Sequence, residues 1–423
     1  MRRALLILLI SGFVEAQDAM HLTLTDARRL AIENNPQFSS ARLTASAAHQ
    51  VAPQYRSNLL PSMTGLVTGV GADSGSRLAA GALNNPTVYS RIASGVAASQ
   101  LLSDFGRTRS LMASSDLHAQ AQDQTTEATR ADILLATSRA YFGVLRAQAV
   151  LTVAEQTVKA RQLVSDQVTA LAENKLKSTL DVSFANVNLA DSRLLLSQAR
   201  NDVASAKAEL AAAMGLPRQT DFLLAEEPMP SAPPASADSL LQDAIANRPE
   251  LKSLRLEQSS AERFAKAEHA LNYPTVAAIA AAGVVPAGES IVPRTYGAAG
   301  VNVSIPIFNG GLFKARQSEA EFKVQAAAKN VDDLANRVMR DVRVAYLNAQ
   351  TAFERVGLTD QLLQQAQLSL DLSQARYNLG LSSIIELSQA QLNLTSAQIA
   401  SASARFDYEA QNAAVLYQIG ALR

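Results

Sequence analysis

Few residues in this chain have the type and spacing for chemistry. The histidines, His21, His49, His118 and His269, are scattered with no ligand spacing, and there is no cysteine. Zero cysteine excludes disulfides and thiolate metal sites. The run Gly69-Val70-Gly71-Ala72-Asp73-Ser74-Gly75 resembles a dinucleotide loop. It has one residue too many, however, and no helical pattern follows it, so it reads as the end of a strand. No G-x-S-x-G, P-loop or H-E-x-x-H run occurs. The expectation is a protein that is not an enzyme, with no catalytic residue, metal or cofactor.

The remaining polar candidates lie at two breaks. Asp181 and Glu386 occupy equivalent positions of an internal repeat, each just inside a helix that follows a tight turn. One chemistry is a carboxylate in a first helical turn, which the helix dipole favours. Another is a ring of acids around a pore mouth, which would attract cations. Tyr377 stands one turn before the second break, at a heptad position, where packing is its ordinary role.

These residues sit at the ends of abnormally long helices. Residues 107–173 hold no proline and one glycine, Gly143; residues 312–378 hold no proline and one glycine, Gly357. Each predicts a helix roughly 100 Å long at about 1.5 Å per residue. Val342, Ala349, Val356, Leu363, Leu370 and Tyr377 recur every seven residues, as do Ile385, Leu392, Ile399 and Phe406. That spacing is a coiled-coil signal. The breaks are Glu173-Asn174-Lys175-Leu176-Lys177-Ser178 and Asn378-Leu379-Gly380-Leu381-Ser382-Ser383, and return helices follow over 179–214 and 384–419.

Each long helix is preceded by a strand pair, predicted at about 60–103 and about 274–308. Val301, Val303, Ile305 and Ile307 alternate with Asn302, Ser304 and Pro306, the period of a sheet with unlike faces. The runs have the length of tilted outer-membrane strands, about 9–11 residues or slightly more. Asp104 and Asn309 are the expected N-caps where strand gives way to helix. Before the strands, Leu22 to Asn34 predicts a short helix opened by Thr25 or Asp26, and 36–56 a further helix disturbed by Pro53.

The plan is used twice. Asn35-Pro36 and Arg248-Pro249 are offset by 213, whereas Leu176 and Leu381 are offset by 205. The first copy therefore carries eight extra residues, within the glycine- and asparagine-rich loop between its strands. Residues 17–216 and 237–423 read as two structural repeats joined by a proline-rich connector over 217–236. Residues 1–16 read as a secretory signal: Arg2 and Arg3, an apolar core from Ala4 to Val14, and small residues Val14 and Ala16. The 38 basic and 38 acidic residues balance, which argues against a nucleic-acid partner.

With these residues in place the chain resembles the TolC-like outer membrane efflux protein family. The resemblance is carried by the duplicated Asn-x-Pro helices, the Phe308-Asn309-Gly310-Gly311 junction and the run from Ala375-Arg376-Tyr377 through Gly380, Ser383 and Glu386 to Gln391. It implies a mainly α fold with a transmembrane β-barrel part, in which a homotrimer builds a twelve-stranded barrel in outer-membrane lipid. A periplasmic α-helical barrel with a large coiled-coil surface continues it. It implies a channel in a Gram-negative outer membrane that docks a periplasmic adaptor and an inner-membrane pump of the RND or ABC type. By motif position Glu386 resembles a constriction acid, with Asp181 and Gln389 as further constriction candidates. Tyr377 resembles the donor and Asp181 the acceptor of a link that holds the mouth shut, with Ser382 at a second link position. Leu176, Lys177, Leu379, Gly380 and Leu381 look like the adaptor-docking tips.

The chain departs from the pattern at Gln389, where an acid is expected, at Ser382, where some members carry arginine, and at Lys175, where the second copy has Gly380. The same pattern admits a second reading, a periplasmic coiled-coil structural or adaptor protein without a pore. Two helical hairpins and two strand pairs favour the channel. Drug, metal, dye and polypeptide cargo are not separated by these residues.

Overall fold

The computed structural model describes residues 20–73, 88–216, 222–234 and 236–422. The expected signal, residues 1–16, and residues 74–87 of the strand loop lie outside the described residues. The elements in order are β1 (Met20–Leu22), α1 (Leu24–Asn34), α2 (Pro36–His49), α3 (Val51–Ser57), β2 (Ser62–Val70), β3 (Arg91–Ser103), α4 (Arg107–Glu173), α5 (Thr179–Ala213), β4 (Phe222–Leu224), α6 (Asp238–Asn247), α7 (Pro249–His269), β5 (Thr275–Gly288), β6 (Thr295–Ser304), α8 (Leu312–Asn378) and α9 (Ile384–Gln418). Among the described residues no helix is long and apolar enough to cross a membrane.

Local chemistry explains where the elements depart from expectation. Helix α1 is capped by Thr23, not by Thr25 or Asp26: the Asp26 N–H donates to Thr23 Oγ1 at 3.2 Å and the Asp26 carboxylate closes a capping box. Leu22 is not helical but ends β1. The helix over 36–56 breaks at Gln50. Pro53 causes this from three residues away, because its ring clashes with the carbonyl of His49 and it has no N–H to donate there. Strand β6 stops at Ser304, short of the expected 308. Pro306 cannot continue the ladder. Asp104 caps α4 as expected, accepting from Thr108 N–H at 2.7 Å and Gly106 N–H at 3.1 Å. At the second junction the backbone closes the turn instead: Leu312 N–H donates to the Asn309 carbonyl at 3.2 Å, with Gly310 and Gly311 both at positive φ.

The chain forms two compact units. One comprises the described parts of 37–129 and 245–339. It carries a four-stranded sheet in the order β2-β3-β5-β6, antiparallel throughout, with Val67 opposite Ser94, Ala98 opposite Ala280 and Ala280 opposite Ala299. Among the described residues β2 pairs only with β3 and β6 only with β5, so both outer strands present unpaired edges. Helices α4 and α7 touch through small residues. Ser114 Oγ donates to the Ser260 carbonyl at 2.9 Å and Ser260 Oγ to the Ser114 carbonyl at 2.8 Å. Three of the histidines each meet one carboxylate here: His49 with Asp123, His118 with Glu257 and His269 with Glu321.

The other unit comprises the described parts of 1–36, 130–244 and 340–423. Its core gathers Leu22, Tyr141, Phe142, Leu145, Leu210, Met214, Phe222 and Phe406. The connector is no loose link. Its strand β4 lies parallel to β1, with Met20 opposite Phe222. Helix side chains pin it down. Tyr141 Oη donates to the Leu22 carbonyl at 3.0 Å and the Ala225 carbonyl at 2.5 Å, Tyr346 Oη to Pro234 at 3.0 Å, and Tyr408 Oη to Ser231. Arg405 reaches Glu226 Oε2 at 3.1 Å, the Glu227 carbonyl at 2.6 Å and Glu409 Oε1 at 3.2 Å. Prolines leave few N–H groups in this segment for a longer ladder, so side chains hold it. The first heptad stripe is buried or half-buried from Val342 to Tyr377. The second differs: Ile385 and Leu392 are exposed, and Leu387 and Leu394 face the packed side instead.

Candidate gate and docking site at the helix turns

Both long helices end in the same turn. In the first, Leu176 N–H donates to the Leu171 carbonyl at 2.9 Å and Lys175 N–H to Ala172 at 2.9 Å. In the second, Leu381 N–H donates to Arg376 at 2.8 Å and Gly380 N–H to Tyr377 at 3.1 Å. This paired bonding needs a left-handed residue after the helix. Gly380 supplies it at φ 74°, and Lys175 adopts it at φ 62° despite its side chain. Leu176, Leu379 and Leu381 are exposed at the turns, as are Leu180 and Ile385 on the return helices.

The two acids behave differently. Asp181 closes a capping box: its N–H donates to Ser178 Oγ at 3.2 Å, and its Oδ2 accepts from Ser178 N–H at 3.0 Å and Ser178 Oγ at 2.9 Å. Glu386 makes only half of that box, its N–H donating to Ser383 Oγ at 3.4 Å. Its carboxylate lies 3.6 Å from Arg376 Nη1 instead. Gln389 is exposed and donates along its own helix to Asn393 Oδ1 at 3.0 Å.

The expected bond from Tyr377 to Asp181 is not formed. Tyr377 is buried, and its Oη has no hydrogen-bond partner among the described residues. Burial, and then the Asp181 charge, push the phenol up. The Ser382 hydroxyl is likewise buried without a partner. What meets Tyr377 from the first hairpin is Lys177, whose Nζ lies 3.9 Å from the ring centroid. Beneath it Val168, Ala185, Tyr377, Ile384 and Leu387 pack as one apolar cluster drawn from both hairpins.

Further cross-hairpin contacts were not visible in the sequence. Asn188 Nδ2 donates to Ser388 Oγ at 2.8 Å, and the Arg161 guanidinium donates to Gln391 Oε1. Arg161 is buried beside a groove of about 470 Å³ lined by Gln156, Gln167, Gln374, Gln391 and Gln398. Burial lowers its pKa, against the raising effect of Asp191. Among the described residues no three His, Asp or Glu side chains gather to hold a metal.

The profile described as "Outer membrane efflux protein" matches residues 27–216 and 240–421. The chain belongs to the outer membrane efflux protein family. Outer membrane protein TolC of Escherichia coli K12 is 26% identical over 419 residues, covering 94% of this chain and 82% of TolC. Alkaline protease secretion protein AprF of Pseudomonas aeruginosa is 24% identical, covering 96% of this chain and 86% of AprF. Among solved structures, the outer-membrane channel OprN superposes with a TM-score of 0.82 at 18% identity, covering 94% of this chain and 89% of OprN. As a family member the chain is an outer-membrane efflux or secretion channel protein of the TolC type, not an enzyme. The two matched segments leave residues 217–239 between them.

Proposed function

We propose that the chain is the passive exit duct of a tripartite export system, assembled as a homotrimer. The carrying observation is the four-stranded sheet with two unpaired edges. In lipid an open edge leaves each N–H and C=O without water, at several kcal/mol per group. Further copies must pair β2 of one chain with β6 of the next. Family resemblance supplies the number three, hence twelve strands continued by the helices. The residues 17–216 and 237–423 then act as duplicated halves of one wall.

In this reading the helix turns form the periplasmic mouth. Leu176, Lys177, Leu379, Gly380 and Leu381 meet the adaptor, and an RND or ABC pump in the inner membrane supplies the energy. Glu386 with Gln389 lines the constriction, with Asp181 near it, and Tyr377 and Ser382 lie where the hairpins close. AprF is named for secretion of a protease and TolC simply as an outer membrane protein, so the relatives do not fix one cargo.

Membrane fractionation, with gel mobility before and after boiling, tests the assembly. The expected result is an outer-membrane oligomer of three chains that dissociates on heating. A monomer in the soluble periplasm would overturn the barrel.

A further inference from the structure

We propose that Lys177 latches the two hairpins together through the face of Tyr377, without use of the phenolic hydroxyl. This rests on the reading of these turns as the mouth of the duct. Lys177 belongs to the turn between α4 and α5, and Tyr377 to the last turn of α8. The ammonium stands 3.9 Å from the ring centroid. A cation over an aromatic face is held by the ring quadrupole, and the hydroxyl proton plays no part.

Four observations single out this contact. The Tyr377 hydroxyl is buried and has no partner among the described residues. Asp181, the carboxylate that could have accepted from it, is engaged by Ser178 through two bonds. The charged pair on the opposite hairpin, Arg376 with Glu386, is satisfied within that hairpin. The other charged residues of the first turn, Glu173 and Lys175, are both exposed, Lys175 in the left-handed bend itself.

The duplication sharpens the point. With the offset of 205, Lys177 corresponds to Ser382 and Tyr377 to Ala172. Neither half of the contact is repeated in the other copy, so the latch has one polarity: cation from the first hairpin, ring from the second. The apolar cluster beneath it fixes the ring and excludes water from one face. Lys177 is half-buried where its ammonium meets the ring.

Single-channel recording of the purified protein in planar bilayers tests the latch with four variants. Lys177→Gln and Tyr377→Leu each remove one partner and should shift the closed-to-open ratio toward open by roughly 2- to 30-fold. Lys177→Arg keeps a cation, and Tyr377→Phe keeps the ring, so both should gate like the parent. A Tyr377→Phe channel as open as Tyr377→Leu would overturn the proposal in favour of a hydroxyl link. So would a Lys177→Gln channel that stays as closed as the parent. If the parent inserts no pore, the duct reading fails, and the latch is judged separately by amine acylation followed by mass spectrometry. Lys177 should then react more slowly in the parent and in Tyr377→Phe than in Tyr377→Leu; equal rates in all three would overturn it.

Discussion

Lys175 and Gly380 hold the same place in two identically bonded turns, at φ 62° and 74°, and only one of them is a glycine. A side chain in this region costs roughly 1–2 kcal/mol. Lys175→Gly should therefore stabilise the first turn by about 1 kcal/mol, and Gly380→Ala should destabilise the second by about as much. Helical circular dichroism during denaturant unfolding reads both. A Cβ at Gly380 meets no atom within 4 Å, so the loss should come from backbone strain alone. A bulky residue there should impair export while the oligomer still forms.

Glu386 makes a second prediction. Its carboxylate faces Arg376 at 3.6 Å on an exposed turn. Glu386→Gln removes one negative charge per chain and leaves Arg376 unpaired. The mouth then carries one more net positive charge per chain. Reversal potentials under a salt gradient should shift toward weaker cation preference, and block by multivalent cations should weaken. An unchanged reversal potential would place the constriction elsewhere along the helices.

A third prediction concerns stability. Arg316 grips Glu268 with two bonds, Nε to Oε2 at 2.6 Å and Nη2 to Oε1 at 2.9 Å, and Glu268 is only 1% exposed. Arg316→Gln strands a buried carboxylate, at a cost of about 3 kcal/mol. The double change Arg316→Gln with Glu268→Gln should recover much of that loss. Thermal melting of the parent, single and double variants gives the comparison.

The fourth is a pH dependence. Burial pushes Glu409 up from the usual carboxylate range, and the charges of Glu227 and Glu226 add to this, while Arg405 opposes it. One Glu409 oxygen is buried without a partner. With the folded pKa above the unfolded value, the folded state binds the proton more tightly. The stability gained is present below the ordinary glutamate range and is lost as pH rises through the raised pKa. Glu409→Gln should flatten that fall, read as apparent melting temperature from pH 4 upward.

The long helices were legible because proline is absent and glycine nearly so over each of them. Their heptads identified Val342 to Tyr377 as a packed stripe. In the second heptad Ile385 and Leu392 stay exposed within the single chain, where Ile384, Leu387 and Leu394 offer another apolar face at helical spacing. The strand β4 was hidden in a proline-rich segment, since its three residues pair with a partner some two hundred positions earlier. The Tyr377 link failed for a local reason. Ser178 stands three residues before Asp181, and that spacing turns Asp181 Oδ2 toward its own helix end. Local capping outcompeted a contact between elements.

The unpaired edges of β2 and β6 have a genetic corollary. A chain whose edge pairs badly is not merely inactive by itself. In the ring proposed above it could still be recruited through its intact opposite edge, and every ring that accepted it would stay unclosed. In a cell producing both forms, defective edges would therefore act dominantly over normal chains. Lesions confined to the helix turns would leave ring closure intact and be diluted by normal partners. Co-expression of the two kinds of variant with the parent would sort them by dominance alone.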